Sequence, residues 1–120
     1  DSLNRRLNNA FIYYNELSTL SEIILPPNIE GYKNVHNFFV IRTDNRKELI
    51  DYLLSESIET KVHYPIPIHL QKCYQDLGYL IGDFPNAEDD AKTMLSIPVA
   101  EHLGQDQISF VSKKIKTFFN

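Results

Sequence analysis

Three side chains able to take part in acid–base or hydrogen-bonding chemistry lie close together in the middle of the chain: His63, Tyr64 and His69. An imidazole can donate or accept a hydrogen bond and changes charge near neutral pH, and a phenol can also donate and accept. Pro65 and Pro67 fix their own φ near about −65° and disfavour helical backbone in the residue before each of them. The three side chains are therefore predicted to lie on a stiff loop, and such loops often carry function.

The same segment also has a purely structural interpretation. His63 would end a strand with its ring half buried, Tyr64 would cover the core, and His69 would be a solvated residue in the first turn of a helix. Taken alone, the local sequence favours this interpretation, so the choice depends on the rest of the chain.

Metal and nucleophilic chemistry match this sequence poorly. His63 and His69, with Glu59 or Asp76, offer ligand atoms, but their spacing fits none of the common zinc patterns. Cys73 has no second cysteine beside it and no assigned base, so it is predicted to be a packing residue in a helix. The four glycines are scattered rather than grouped in a phosphate-binding loop. No complete active site is expected in this chain alone.

Length and charge restrict the class of protein. A chain of 120 residues fits one domain, residues 1–120, with enough apolar side chains to form its own core. Its net charge of −4 disfavours nucleic-acid binding, and no apolar stretch is long enough to span a membrane. The single cysteine indicates a reducing, cytoplasmic location. Because the chain begins with Asp1 rather than Met, we expect it to be a fragment of a longer protein.

The first half of the chain contains the clearest periodic patterns. An amphipathic helix is predicted over residues 2–17, capped by Asp1 or Ser2, with Asn9 among the residues on its solvent face. A short edge strand is predicted over residues 22–25. Residues 35–43 are predicted to form a strand that is apolar on both faces, followed by a helix that ends near Ser57. A second strand over residues 58–62 would run parallel to the first.

The second half is predicted to be mostly helical. Helices are expected over residues 68–77, closed by Gly78, and over residues 85–95, stopped by Pro98. Gly104 is predicted to cap a last helix with Ile108, Val111, Ile115 and Phe118 on its buried face. The expected fold is α/β in the broad sense, an α+β two-layer arrangement of a small mixed sheet packed against several helices.

Five sequence blocks occur in an order and at separations that resemble the C-terminal region of the DegT/DnrJ/StrS family of pyridoxal-phosphate-dependent sugar-nucleotide aminotransferases. The blocks are HNFFVIR at 36–42, RKEL at 46–49, TKVHYPIPIHLQ at 60–71, GDFPNAE at 82–88 and LSIP at 95–98. The chain has Ser57-Ile58 where the family usually has Gly-Ile, which is a departure at a turn. The resemblance extends over nearly the whole chain.

The resemblance implies a fold-type-I aminotransferase in which a large N-terminal domain, absent from this chain, holds pyridoxal phosphate (PLP) and its Schiff-base lysine. This chain would be the small C-terminal domain, with no cofactor of its own, in a protein that forms a homodimer. It would close over a nucleotide-sugar substrate and an amino acid donor.

The resemblance also assigns positions to the candidate residues. It implies that His63 and Tyr64 lie at the mouth of the active site as substrate-binding residues, with His69 close behind. His36 is the fourth candidate, although a polar residue at the entrance of a strand can also be retained for a backbone hydrogen bond. An alternative function is a free-standing, non-catalytic ligand-binding or regulatory module that shares the fold.

Overall fold

The computed structural model describes residues 1–120 and contains four α-helices and two β-strands. In chain order the elements are α1 (Ser2–Leu17), β1 (Phe39–Arg42), α2 (Arg46–Ser55), α3 (Pro85–Thr93), β2 (Met94–Ile97) and α4 (Gln105–Phe119). Two short 3-10 helices, Ile68–Leu70 and Lys72–Leu77, lie between α2 and α3. The predicted bounds of α1 are confirmed, with Asp1 as its N-cap, and α4 follows Gly104 as predicted.

The sheet is antiparallel and is extended on each side by a single bridge. Phe39 pairs with Ile97 and Ile41 pairs with Leu95. Ile24 bridges to the outer side of β1, and Lys61 bridges to the outer side of β2. Because β1 and Lys61 are both antiparallel to β2, they run parallel to each other, but with β2 between them.

Three strand predictions and one helix prediction are wrong in their extent. The strand predicted over residues 35–43 is shortened to Phe39–Arg42. Residues 22–25 and 58–62 contribute one bridging residue each rather than full strands. The helix predicted over residues 85–95 ends at Thr93, and Met94–Ile97 forms β2 instead. Pro98 favours extended backbone in the residue before it, and Leu95 and Ile97 bury their side chains by pairing with β1. This distant pairing overrides the local helical pattern.

The hydrophobic core lies between one face of the sheet and the layer formed by α1, α2 and α4. α1 packs against α4, and α2 packs against α4 on the other side. The sheet contributes Phe39, Ile41, Leu95 and Ile97 to the core, and the helices contribute fully buried leucine, isoleucine and tyrosine side chains: Tyr13, Leu17, Leu49, Leu53, Ile108 and Ile115. The predicted two-layer arrangement of a small sheet on helices is confirmed.

The buried face of α1 differs from the predicted one. Asn9, predicted to face solvent, is buried and donates its amide to the Ala100 carbonyl at 3.0 Å. Tyr13 is fully buried and donates its hydroxyl to the Pro98 carbonyl at 2.5 Å, while Phe11 is 64% exposed. Carbonyl groups of the loop after β2 accept these two hydrogen bonds, which favours polar-tipped side chains on that side of the helix. Burial also raises the pKa of the Tyr13 phenol.

The other face of the sheet has no helical layer of its own. Phe38, expected to need cover, is 54% exposed, and Val40 is half-buried. The helix predicted over residues 68–77 is replaced by the two 3-10 helices because Gln71 adopts extended backbone between them. Gly78 ends this region in the left-handed conformation, as predicted.

Candidate functional site

His63 lies at the edge of the sheet, held from two sides. Lys61 and Ser96 exchange backbone hydrogen bonds at 3.1 and 2.8 Å, which fixes the backbone two residues before His63. The His63 Nδ1 atom lies 3.0 Å from the Ser96 hydroxyl, and its ring packs on Phe38 with 4.3 Å between centroids. His63, Lys61 and Asn37 line a shallow cleft of about 190 Å³. The imidazole is thereby oriented, with Nε2 free of any hydrogen bond within the chain.

Tyr64 lies next to this imidazole and extends into solvent. Its ring meets the edge of the His63 ring at 5.5 Å, and 62% of the residue is exposed. It does not cover the core, contrary to the structural interpretation. The hydroxyl makes no hydrogen bond within the chain, so it is available beside His63 to donate and accept hydrogen bonds.

His69 belongs to a different cluster from His63. It is buried, and its Nε2 atom lies 2.8 Å from Glu88 Oε1 at the start of α3. Its ring also meets the edge of Phe84, with 4.9 Å between centroids. It is therefore neither solvated nor directed at the cleft beside His63. The hydrogen bond from His69, and after it the bond from the Gly82 amide, lower the pKa of the Glu88 carboxyl.

His36 lies on the helical side of the sheet, apart from the other three candidates. Its ring packs between Tyr14 and Phe39, and burial lowers its pKa, so the imidazole is neutral near pH 7. The expected hydrogen bond from the ring to the backbone is not formed, because Nδ1 is buried without a partner. The backbone amide of His36 donates to the Asn34 side chain at 3.0 Å instead. The structure brings Phe38, not His36, to His63.

Sequence reasoning missed three residues that shape this region. Ser96 orients His63, and Glu88 holds His69. Arg42 extends from β1 to α3, where it contacts Asp89, Asp90 and the Thr93 hydroxyl. Ser96 and Glu88 both fall inside the sequence blocks at 95–98 and 82–88, which is the only signal in the sequence that marks them.

Comparison with known proteins identifies the family. Residues 1–116 match the model of the DegT/DnrJ/EryC1/StrS aminotransferase family. The chain belongs to this family. It is 37% identical over 108 residues to dTDP-3-amino-3,4,6-trideoxy-alpha-D-glucose transaminase of Streptomyces venezuelae, covering 89% of this chain and 28% of that protein. It is also 37% identical over 97 residues to a pleiotropic regulatory protein of Geobacillus stearothermophilus, covering 81% of this chain and 26% of that protein.

Solved structures of aminotransferases share the fold. The crystal structure of S. venezuelae DesV in complex with a ketimine intermediate superposes with a TM-score of 0.96 and 32% sequence identity. That match covers 99% of this chain and 32% of the DesV chain. The chain therefore spans about a third or less of these three relatives, between 26% and 32%. As a member of the DegT/DnrJ/EryC1/StrS family, it is related to sugar aminotransferases.

Two lysines and three glycines of this DegT/DnrJ/EryC1/StrS family member lack the features needed to hold PLP, the cofactor that the family implies. A Schiff-base lysine is activated by a lowered pKa. Lys47 donates a hydrogen bond to Asp51 and Lys114 donates one to Glu56, and these bonds instead raise the pKa of the two ammonium groups. The three glycines with positive φ, namely Gly31, Gly78 and Gly82, lie in separate turns and form no common phosphate cradle.

Two further kinds of site were considered for this family member. No group of three or more His, Cys, Asp or Glu side chains is arranged to hold a metal ion. None of its helices has the length and apolar character needed to cross a membrane.

Proposed function

We propose that this chain is the C-terminal domain of a PLP-dependent aminotransferase that transfers an amino group from an amino acid donor to a keto-sugar nucleotide. The observation that carries the proposal is the oriented pair of His63 and Tyr64. Their free polar atoms lie together at an open edge of the sheet, next to a cleft that also presents Lys61. These groups suit the hydroxyl, phosphate and carboxylate groups of such substrates.

His63 and Tyr64 act in this proposal by binding and orienting the substrate. His63 Nδ1 is engaged by Ser96, so the Nε2 atom remains for the ligand. Pro65 restricts the backbone beside Tyr64 before any ligand arrives, so less conformational entropy is lost on binding. The cofactor, when bound in the N-terminal domain, supplies the electron sink for amino transfer. The residues of this chain hold the substrate against it.

The exposed apolar surface supports a partner domain. The uncovered face of the sheet exposes Phe38, and residues 64–84 expose a series of large apolar side chains: Tyr64, Ile66, Ile68, Tyr74, Leu77, Tyr79, Leu80, Ile81 and Phe84. A run of this kind marks an interface rather than a free surface. We assign it to the N-terminal PLP domain and to the second subunit of a homodimer. The chain's length, about a third or less of its relatives, leaves room for such a domain.

Substitutions in the longer protein test the role of the pair. His63→Ala and Tyr64→Phe should each lower kcat/KM about 10- to 150-fold if each removes one hydrogen bond to a charged substrate group, worth about 1.5–3 kcal/mol. Folding and cofactor loading should be unchanged. His102→Ala and Tyr32→Phe are matched controls, because both residues are exposed and lie outside the cleft. Reduced stability with unaltered kinetics would contradict substrate positioning.

A second candidate function is a regulatory or ligand-binding module without catalysis. The name of the G. stearothermophilus relative favours it, as does the core, which the chain's own helices form on one side of the sheet. The same enzyme assay separates the two candidates. If the longer protein loads PLP but transfers no amino group from any amino acid donor to keto-sugar nucleotides, the regulatory function is the better one.

A further inference from the structure

One carboxylate joins the two ends of the most exposed loop in the molecule. Glu88 Oε1 lies 2.8 Å from His69 Nε2 and 2.8 Å from the Gly82 backbone nitrogen, and Oε2 lies 3.1 Å from that same nitrogen. His69 precedes residues 70–81, and Gly82 follows them. We call residues 70–81 the apolar loop. Gly82 has φ +96°, a left-handed conformation that glycine adopts readily, so another residue here would strain the turn that presents this amide.

Gln71 also donates to the Ile66 carbonyl, and the Leu80 amide donates to Asp83, but both of those hydrogen bonds are exposed, whereas the contact at Glu88 is enclosed. Only 12% of the Glu88 side chain and 7% of the His69 side chain are exposed, and hydrogen bonds to a carboxylate are stronger than those between neutral groups. His69 is the one buried residue between residues 64 and 87. The loop itself exposes Leu80 and Ile81 at 70% and 82% and has no core of its own.

The position of this attachment connects it to the candidate site. His69 and His63 are separated by a short segment that contains Pro65 and Pro67, whose rings restrict the backbone. Ser96 fixes one end of this segment and Glu88 fixes the other. A displacement of His69 would therefore also displace Tyr64 and His63, because no flexible linker separates them.

We propose that Glu88 is a positioning residue that closes the apolar loop at its base and holds the backbone from residue 63 to residue 69 in its binding conformation. Glu88 acts through His69 and Gly82 and does not contact the substrate. The closure of the loop involves only residues of this chain and does not depend on the proposed function. The effect on catalysis rests on the function proposed above.

Limited proteolysis of the 120-residue chain tests the closure. Lys72 is an exposed trypsin site inside the apolar loop. Glu88→Ala should increase the initial rate of cleavage after Lys72 about tenfold or more, because it removes both hydrogen bonds and local opening governs cleavage. Glu88→Gln keeps an oxygen able to accept both hydrogen bonds and should show a smaller increase. Glu101→Gln is the matched control, since Glu101 is a carboxylate paired with Arg6 away from the loop.

The proteolysis and amide-exchange rates show whether Glu88 closes the apolar loop. Equal rates for Glu88→Ala, Glu101→Gln and the unmodified chain would overturn it, and so would equal exchange rates of the Gly82 amide hydrogen in those three proteins. If Glu88→Ala does not fold, Glu88→Gln still decides, because unchanged exchange of Gly82 together with unchanged cleavage would refute any closure that depends on the carboxylate.

Kinetics of the longer protein test the positioning. Glu88→Ala should raise KM for the sugar substrate at least severalfold with PLP loading unchanged, Glu88→Gln should recover part of that loss, and Glu101→Gln should behave as the unmodified enzyme. Loop opening without any change in KM or kcat would overturn the positioning role. If the unmodified protein has no transaminase activity, the proposed function fails, and the proteolysis still decides the closure independently.

Discussion

The hydrogen bond between Ser96 and His63 provides a quantitative test of how the candidate site is held. Ser96→Ala removes the hydroxyl 3.0 Å from His63 Nδ1 and leaves the backbone pairing with Lys61 in place. His63 is half-buried, and the net worth of a typical hydrogen bond is about 1 kcal/mol within a range of about 0.5–1.5 kcal/mol. The π contact between His63 and Phe38 should survive the substitution.

A double-mutant cycle isolates this bond from the other effects of each substitution. The free energy of unfolding in urea is measured for the chain, for Ser96→Ala, for His63→Ala and for the double variant. The cycle should give a coupling free energy of about 1 kcal/mol, because the double variant loses the bond only once. The same cycle with Ser109→Ala serves as the control, since the Ser109 hydroxyl bonds to Glu16 and should give additive effects.

A coupling energy below about 0.3 kcal/mol for Ser96 and His63, which is within the usual error of additivity, would refute the argument. It would mean that the imidazole is oriented by packing on Phe38 alone. The role of Ser96 as the group that directs Nε2 towards a ligand would then be abandoned.

The remaining predictions concern pH, the cofactor and the apolar surface. Because the pKa of Glu88 is lowered in the fold, its carboxylate contributes stability that is present above the unfolded pKa and is lost as pH falls through the folded pKa. The urea midpoints of the chain and of Glu88→Gln should therefore differ near pH 7 and converge as pH falls below the usual pKa of a glutamate, about 4.3. The 120-residue chain mixed with PLP should show no internal-aldimine absorbance band, and a borohydride-trapped adduct on one specific lysine would contradict this. In sedimentation the chain should self-associate through its exposed apolar loop, and Leu80→Ser with Ile81→Ser should reduce that association.

The first and last helices were predictable because their patterns are local. α1 and α4 follow the spacing of apolar residues, and their N-terminal residues Asp1 and Gly104 mark where they begin. The rotation of α1 about its axis was not predictable. Asn9 and Tyr13 turn inward because carbonyl groups from the loop after β2 lie there, and no pattern within the helix reports the position of that loop.

The strands were harder to predict because their partners are distant in sequence. Residues 58–62 have strand character, yet only Lys61 pairs with a strand, through its bridge to Ser96. Met94–Ile97 continues a helical pattern, and only its pairing with β1 makes it a strand. Such pairing depends on contacts between residues separated by about half the chain. The β-propensity of a local segment carries no information about those contacts.

The candidate site was predictable in its position and not in its connections. The two prolines indicate a stiff, polar segment, and the structure places His63 and Tyr64 together at the sheet edge. The roles of His69 and His36 follow from neighbours that are remote in sequence. His69 is held by Glu88, and His36 is enclosed by Tyr14 and Phe39. Whether any of the four binds substrate stays a prediction.

Contacts between the sequence blocks explain why those blocks occur together. Ser96 of the block at 95–98 holds His63 of the block at 60–71, and Phe38 of the block at 36–42 stacks on the same ring. Glu88 of the block at 82–88 contacts His69 of the block at 60–71. Arg46 of the block at 46–49 donates to the carbonyl of Met94, at the start of β2. None of these contacts lies in the hydrophobic core.

A block that served only the core could be replaced by other apolar side chains of similar volume. Polar contacts between blocks are less replaceable, because losing one partner leaves the other unsatisfied. Four of the blocks, those at 36–42, 60–71, 82–88 and 95–98, are joined in this way, and together they fix the segment from residue 63 to residue 69 relative to the sheet.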